Sequence, residues 1–210
     1  VLVFYNQDYL LQMYSIEGEI EKVGKNDSDY SKLFGNCTIE YIQYTHISST
    51  DETFFVLNCR NFTGKVSPIY QYKVYYINNI TDEGVELQQI MEGLYNETIL
   101  DAKMSKCPYH NDTYALVMLT NSEIPTDANI LVTLLECPTF KDCTVVQQEQ
   151  LTGLYYGYDT FIVNSFVFIQ GTNTIMLSVS NYGLTLIDLF NYGDVLYIPF
   201  DDLNFNIPPS

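Results

Sequence analysis

The chain has 210 residues, 47% of them hydrophobic and 17% charged, with a formal net charge of −17 from 26 acidic and nine basic residues. So acidic a surface repels phosphate backbones and anionic lipid, which excludes nucleic acid and charged membrane surfaces as partners. No stretch reaches the apolar length of a membrane-spanning helix.

The 19 Tyr and 12 Phe, with many Ile, Val and Thr, favour pleated, half-buried strands. The chain starts at Val1 without Met and without a basic-then-apolar leader, so a mature form or a part of a longer chain is expected.

In chain order, the first predicted strands are "VLVFYN" from Val1, "YLLQMYSI" from Tyr9 and "EIEKV" from Glu19. A fuller set follows: "LFGNCTI" from Leu33, opening a strand at Thr38, then "TFFVLN" from Thr53, "YQYKVYYI" from Tyr70 and "VELQQI" from Val85. The same order returns with "LYNETI" from Leu94, "TYALVMLTN" from Thr113, "NILVTLLE" from Asn129 and "VVQQEQ" from Val145. It returns again with "LYYGYDTF" from Leu154, "TIMLSVSN" from Thr174, "LTLIDLF" from Leu184 and "VLYIPF" from Val195. Each run is short, apolar or alternating, and bounded by Gly, Pro, Asn, Asp or Ser, which is the pattern of a strand. No window carries a capped helical stripe; the segment 82–95 comes nearest, and its match to the Val145 run favours strand.

The spacing is regular. Leu33, Leu94 and Leu154 lie 61 and 60 residues apart, and Thr53, Thr113 and Thr174 lie 60 and 61 apart. The predicted units are 1–32, which lacks its first strand, then 33–93, 94–153 and 154–202, with a tail at 203–210. One sheet of four strands is too small to bury both faces, whereas stacked copies cover one another. Strands apolar on both sides, such as "TFFVLN" and "YALVML", suit a sheet covered on both sides.

Four antiparallel strands per unit, repeated along nearly the whole chain, resemble a β-propeller, in which each four-stranded sheet is a blade. The resemblance is one of period and strand count. The Gly-His and Trp-Asp signature of the WD40 repeat is absent, and the Asp-box of sialidase propellers needs a Trp this chain lacks. The expected fold is therefore all-β, a propeller-like array of about four blades, with a sandwich of serial hairpins as the alternative.

Six Asn-x-Ser/Thr triplets, at Asn26, Asn36, Asn61, Asn79, Asn96 and Asn111, all precede residue 112. Their number in one half of the chain points to N-glycosylated surface loops and an extracellular location, secreted or at the cell surface. Five cysteines fit that compartment. Cys137 and Cys143 are close enough in sequence for a loop bridge, Cys37 and Cys59 flank a predicted hairpin, and Cys107 is left over. An odd cysteine in a secreted chain points to a partner outside it.

No catalytic constellation stands out. His46 and His110 fall in equivalent predicted turns, no Gly-x-Ser-x-Gly elbow occurs, and no paired cysteine motif marks a metal site. No cofactor is expected beyond N-linked glycans. Tyr95, Tyr155, Tyr156 and Tyr158 form a candidate contact surface, since exposed Tyr favours protein interfaces. A binding or structural role follows: a platform for protein contacts, adhesion or self-assembly into extracellular fibres, with other chains or further copies adding strands to an open edge. The alternative is a carbohydrate-active hydrolase or lyase on a propeller scaffold.

Overall fold

A computed structural model of the chain describes residues 2–5, 10–17, 19–29, 38–61, 69–81, 84–95, 97–121, 128–151, 163–179, 183–192 and 195–199. Every regular element among them is a strand. They are β1 (Leu2–Tyr5), β2 (Leu10–Glu17), β3 (Glu19–Asp29), β4 (Thr38–Ile47), β5 (Glu52–Asn61), β6 (Ile69–Thr81), β7 (Gly84–Tyr95) and β8 (Thr98–Lys106). The remainder are β9 (Thr113–Asn121), β10 (Ala128–Glu136), β11 (Thr144–Leu151), β12 (Val163–Phe168), β13 (Thr174–Val179), β14 (Gly183–Asp188) and β15 (Val195–Pro199). They build a three-stranded sheet, β1-β2-β3, and three four-stranded sheets, β4–β7, β8–β11 and β12–β15, with neighbours following chain order. All pairings are antiparallel, so the all-β expectation and the four-strand repeat both hold. No closed ring is seen among the described residues.

The turns between the first two strands of each four-stranded sheet share a device. Each needs one residue in the left-handed region, and the chain supplies Asp51 (φ 57°), Asp112 (φ 58°) and Gly171 (φ 76°). Gly has no Cβ to clash there, and Asp is among the few side chains that tolerate the region. The closing hydrogen bonds correspond too: Cys107 N donates to Thr113 O at 2.8 Å and Ile169 N to Thr174 O at 2.9 Å.

The repeat is also written into the register. The first pair of each four-stranded sheet slips by one residue near its start, between Ile39 and Tyr41, between Ile99 and Asp101, and between Val163 and Ser165. The skipped residues, Glu40, Leu100 and Asn164, are all exposed, as expected of a bulge that leaves one residue unpaired. Ile39, Ile99 and Val163 are thus equivalent, 60 and 64 residues apart. The last interval is longer than the expected period, so matching Thr160 to Thr38 and Thr98 misplaces the last unit's first strand. Thr160 itself lies outside the described residues. Leu94, expected to open a unit, instead sits at the end of β7.

The chain divides into two compact units, residues 1–96 with Phe140–Asp142, and residues 97–139 with 143–210. In the first, one core gathers Ile39, Phe55, Leu57, Cys59, Tyr75 and Ile77. Phe55 and Tyr75 face each other across β5 and β6, and their rings stack with centroids 5.0 Å apart. Gly93 pairs with Tyr72, and a Cβ there would sit 2.5 Å from the Tyr72 ring, so the missing side chain makes room for the ring to lie over β7.

In the second unit two sheets pack face to face. Ala115, Val117, Leu119, Ile130, Val132 and Leu134 of the β8–β11 sheet meet Val163, Phe166, Ile175, Leu177, Val179 and Ile187 of the β12–β15 sheet. Apart from Ala115, each such side chain contributes about 1.5–3 kcal/mol by leaving water. The alternating burial of β13 and β14 follows from this, because one face of their sheet is covered and the other is not.

Candidate functional site

His46 is the penultimate residue of β4, paired with Thr53, and so lies in the strand rather than in the turn where it was expected. Its Nδ1 is 3.1 Å from Thr53 Oγ1 and its Nε2 is 3.9 Å from the exposed Asp51 carboxylate. At that distance and exposure the ion pair is worth little. His110 does lie in the β8–β9 turn, where its ring stacks on Phe190 with centroids 4.0 Å apart. Each histidine thus has a local structural partner. Among the described residues no group of three or more His, Cys, Asp and Glu is placed to hold a metal ion.

The cysteines fall into three environments. Cys137 and Cys143 form a disulfide, and the Cys137 N–H donates to Asp112 O at 2.7 Å, tying the bridged loop to the β8–β9 turn. Cys59 is disulfide-bonded within the core of the first unit, while Cys37, its expected partner, lies outside the described residues. Cys107 is a free thiol, buried in the core cluster that also holds Ala115 and Leu189. Burial pushes its pKa up to about 12, with the nearby Asp188 carboxylate adding to the shift. A buried, protonated thiol is neither nucleophilic nor accessible to another chain, so Cys107 behaves as a small hydrophobe.

The sequon asparagines divide by position. Asn79 is exposed near the end of the β6–β7 hairpin, where its Oδ1 accepts the Ile80 N–H at 2.9 Å. Asn111 is exposed in the β8–β9 turn, and the sequon hydroxyl of Thr113 donates to its carbonyl at 3.3 Å. Asn26 lies in β3 and Asn61 closes β5, while Asn36 and Asn96 lie outside the described residues. Among the tyrosines, Tyr95 ends β7 half-buried opposite Tyr70. Tyr155, Tyr156 and Tyr158 lie outside the described residues.

One polar arrangement escaped the sequence reading. Lys103 of β8 donates from Nζ to Phe166 O at 2.7 Å, lies 4.4 Å from the centre of the Phe166 ring, and pairs with Asp101 beside it. It clasps β12 to β8. Nothing local marks it, because its partner is 63 residues away.

Among the described residues, the surface open to partners includes sheet edges, exposed turns and the half-buried face of the β12–β15 sheet. No protein-family model matches the chain, and no curated protein matches it in sequence.

Proposed function

We propose that this chain is a secreted, N-glycosylated structural protein, a β-propeller-like array or an open segment of one, whose work is to make protein contacts and assemble into extracellular fibres. The observation that supports the reading is the repeat: among the described residues, successive four-stranded antiparallel sheets share one turn conformation and one bulge, and each leaves two edge strands hydrogen-bonded on one side only. A free strand edge offers a row of N–H and C=O groups to an incoming strand from another chain. Addition of a strand to a different edge of the next copy is head-to-tail, and it continues as a filament where the rotation does not close a ring. The exposed sequons at Asn79 and Asn111 and the Cys137–Cys143 bridge accord with an oxidising, extracellular setting. Negative-stain electron microscopy of native material tests the proposal. Continuous fibres are the expected result; isolated particles at every concentration would sink it.

A further inference from the structure

In the β8–β11 sheet, burial stops between the last two strands. Every side chain from Tyr114 to Thr120 of β9 and from Ile130 to Leu135 of β10 is buried, so both faces of those strands are covered. Its neighbour β11 pairs with β10 along its length, yet only Gln147 and Leu151 on it are half-buried and its other side chains are exposed. The strand therefore stands out beyond the cover. One of its edges is paired to β10, and the other has no strand against it among the described residues. Val145 and Val146 on this strand are 51% and 54% exposed.

A free edge is normally guarded by charge, proline, shortness, a bulge or a cover. The other edges of the four-stranded sheets have such guards. Asp101, Lys103 and Lys106 lie on β8, and Lys103 clasps it to Phe166 O of β12. On β7 lie Glu86 and Glu92, and Glu86 pairs with the sequon residue Asn79. The β4 edge has the Glu40–Arg60 pair near one end and the His46–Asp51 pair at the other. The β15 edge is five residues long and ends on Pro199. By contrast β11 has eight residues, one charge, Glu149, and one bulge, at Val146 near its start. No sequon lies in it or in the bridged loop before it, so no N-linked sugar stands on this edge.

We infer that β11 is a dimerisation edge, which pairs antiparallel with β11 of a second copy across a twofold axis. The inference rests on the role in protein contacts proposed above and names one such contact with its symmetry. A row of backbone N–H and C=O groups accepts an extended strand, which fixes the kind of occupant. Charge selects the same edge of a second copy. Each copy carries −17, and the segment Thr144–Gln148 is uncharged, so these edges meet with few like charges opposed. A register centred on Gln148 sets Gln148 opposite Gln148 of the copy, Glu149 opposite Gln147 and Gln150 opposite Val146. No two glutamates then face each other across the pair. A contact made by the same edge on both copies closes on itself, so its product is a discrete dimer, and fibres need a second, different edge.

The test is sedimentation velocity over a concentration series on the full chain, comparing the wild type with Gln148→Glu and Gln148→Lys. Across the twofold axis each variant sets two like charges face to face, yet the two change the net charge in opposite directions. Both replace the amide that donates to Thr133 Oγ1 at 3.0 Å, and circular dichroism verifies that the fold survives. Leu94→Glu and Leu94→Lys, at a 68% exposed position on β7, are the controls. The wild type and the controls should show a monomer–dimer equilibrium. Dimerisation should weaken about fivefold or more in each Gln148 variant. An equimolar mixture of the two variants should recover dimers, because opposite charges then meet, and mixing cannot repair a folding defect. Gln148 variants that dimerise like the wild type, or a mixture that does not recover, overturn the pairing. A wild type that stays monomeric also overturns it and leaves the edge to a strand of another protein. Fibres undiminished in both variants overturn this contact and keep the fibre reading. Dimers that never grow into fibres keep this contact and sink the fibre reading.

Discussion

Cys107 shows how burial turns a chemical group into a packing group. Its folded pKa stands near 12 against an ordinary 9.0, with desolvation as the main cause and Asp188 the second. Tyr192 is pushed up to about 12 from 10.0 by burial and by nearby acidic groups, and Tyr75 is raised further still by burial. In each case the unfolded chain loses the proton first as pH rises. The stability these groups contribute is therefore complete below the unfolded values and is lost as pH climbs through the folded ones. Denaturant titrations should find stability falling from about pH 9 toward 12, with Cys107 alone contributing a slope of no more than about 1.4 kcal/mol per pH unit. In Cys107→Ala the decline should begin nearer pH 10. A wild-type thiol that reacts with iodoacetamide in the native state at pH 8 would contradict this picture. Asn58 presents the opposite problem. It is buried in β5, and neither atom of its amide group is hydrogen-bonded among the described residues. Its register equivalent in the next sheet is Leu119, since Asn58 pairs with Tyr41 and Leu119 with Asp101, each just past the bulge. Asn58→Leu should raise stability by about 1–3 kcal/mol by removing an unsatisfied polar group, measured by chemical denaturation. Neither environment was legible in the sequence. The five cysteines were countable and the six-residue spacing of Cys137 and Cys143 suggested their bridge, but burial is decided by strands far away in the chain.

At the level of elements, two glycines separate a forgiving close approach from an unforgiving one. At Gly93 an added Cβ would meet the tip of the Tyr72 ring, side-chain atoms and not the main chain. At Gly183 it would collide with Ile198 O, a main-chain atom of the paired strand β15, and the backbone there has φ +148°. Gly183→Ala should therefore cost about 2–4 kcal/mol, combining strain with a clash that cannot relax. Gly93→Ala should cost less, and thermal unfolding of the two side by side checks the order. The strands themselves were largely readable, because short apolar runs bounded by turn residues map onto pleated elements without long-range help. "NILVTLLE" became β10 (Ala128–Glu136) and "TIMLSVSN" became β13 (Thr174–Val179). Register was harder. The bulges at Glu40, Leu100 and Asn164 shift every later pairing by one residue, and no residue type announces them. The match through Thr160 fails for a separate reason, the last interval being 64 residues instead of 60, and His46 belongs to β4 because that strand runs on to Ile47.

For the whole molecule, charge and shape act against each other. Every copy carries −17, so two copies repel before any apolar face or free edge can meet. The repulsion reaches about 30 Å at 0.01 M salt but only about 8 Å at 0.15 M, whereas backbone pairing at a strand edge acts at contact. Assembly should therefore strengthen with salt, about tenfold or more between those two concentrations, as followed by light scattering. Lowering the pH toward the sequence pI of about 4.1 should act in the same direction, because it removes the same charge. Sodium and calcium compared at equal ionic strength separate screening from carboxylate bridging. Equal responses identify screening, and a larger response to calcium identifies bridging. Assembly that weakens as sodium chloride is added would mean that ion pairs hold the copies together. That result would contradict assembly through strand edges, since backbone N–H and C=O groups carry no net charge to pair.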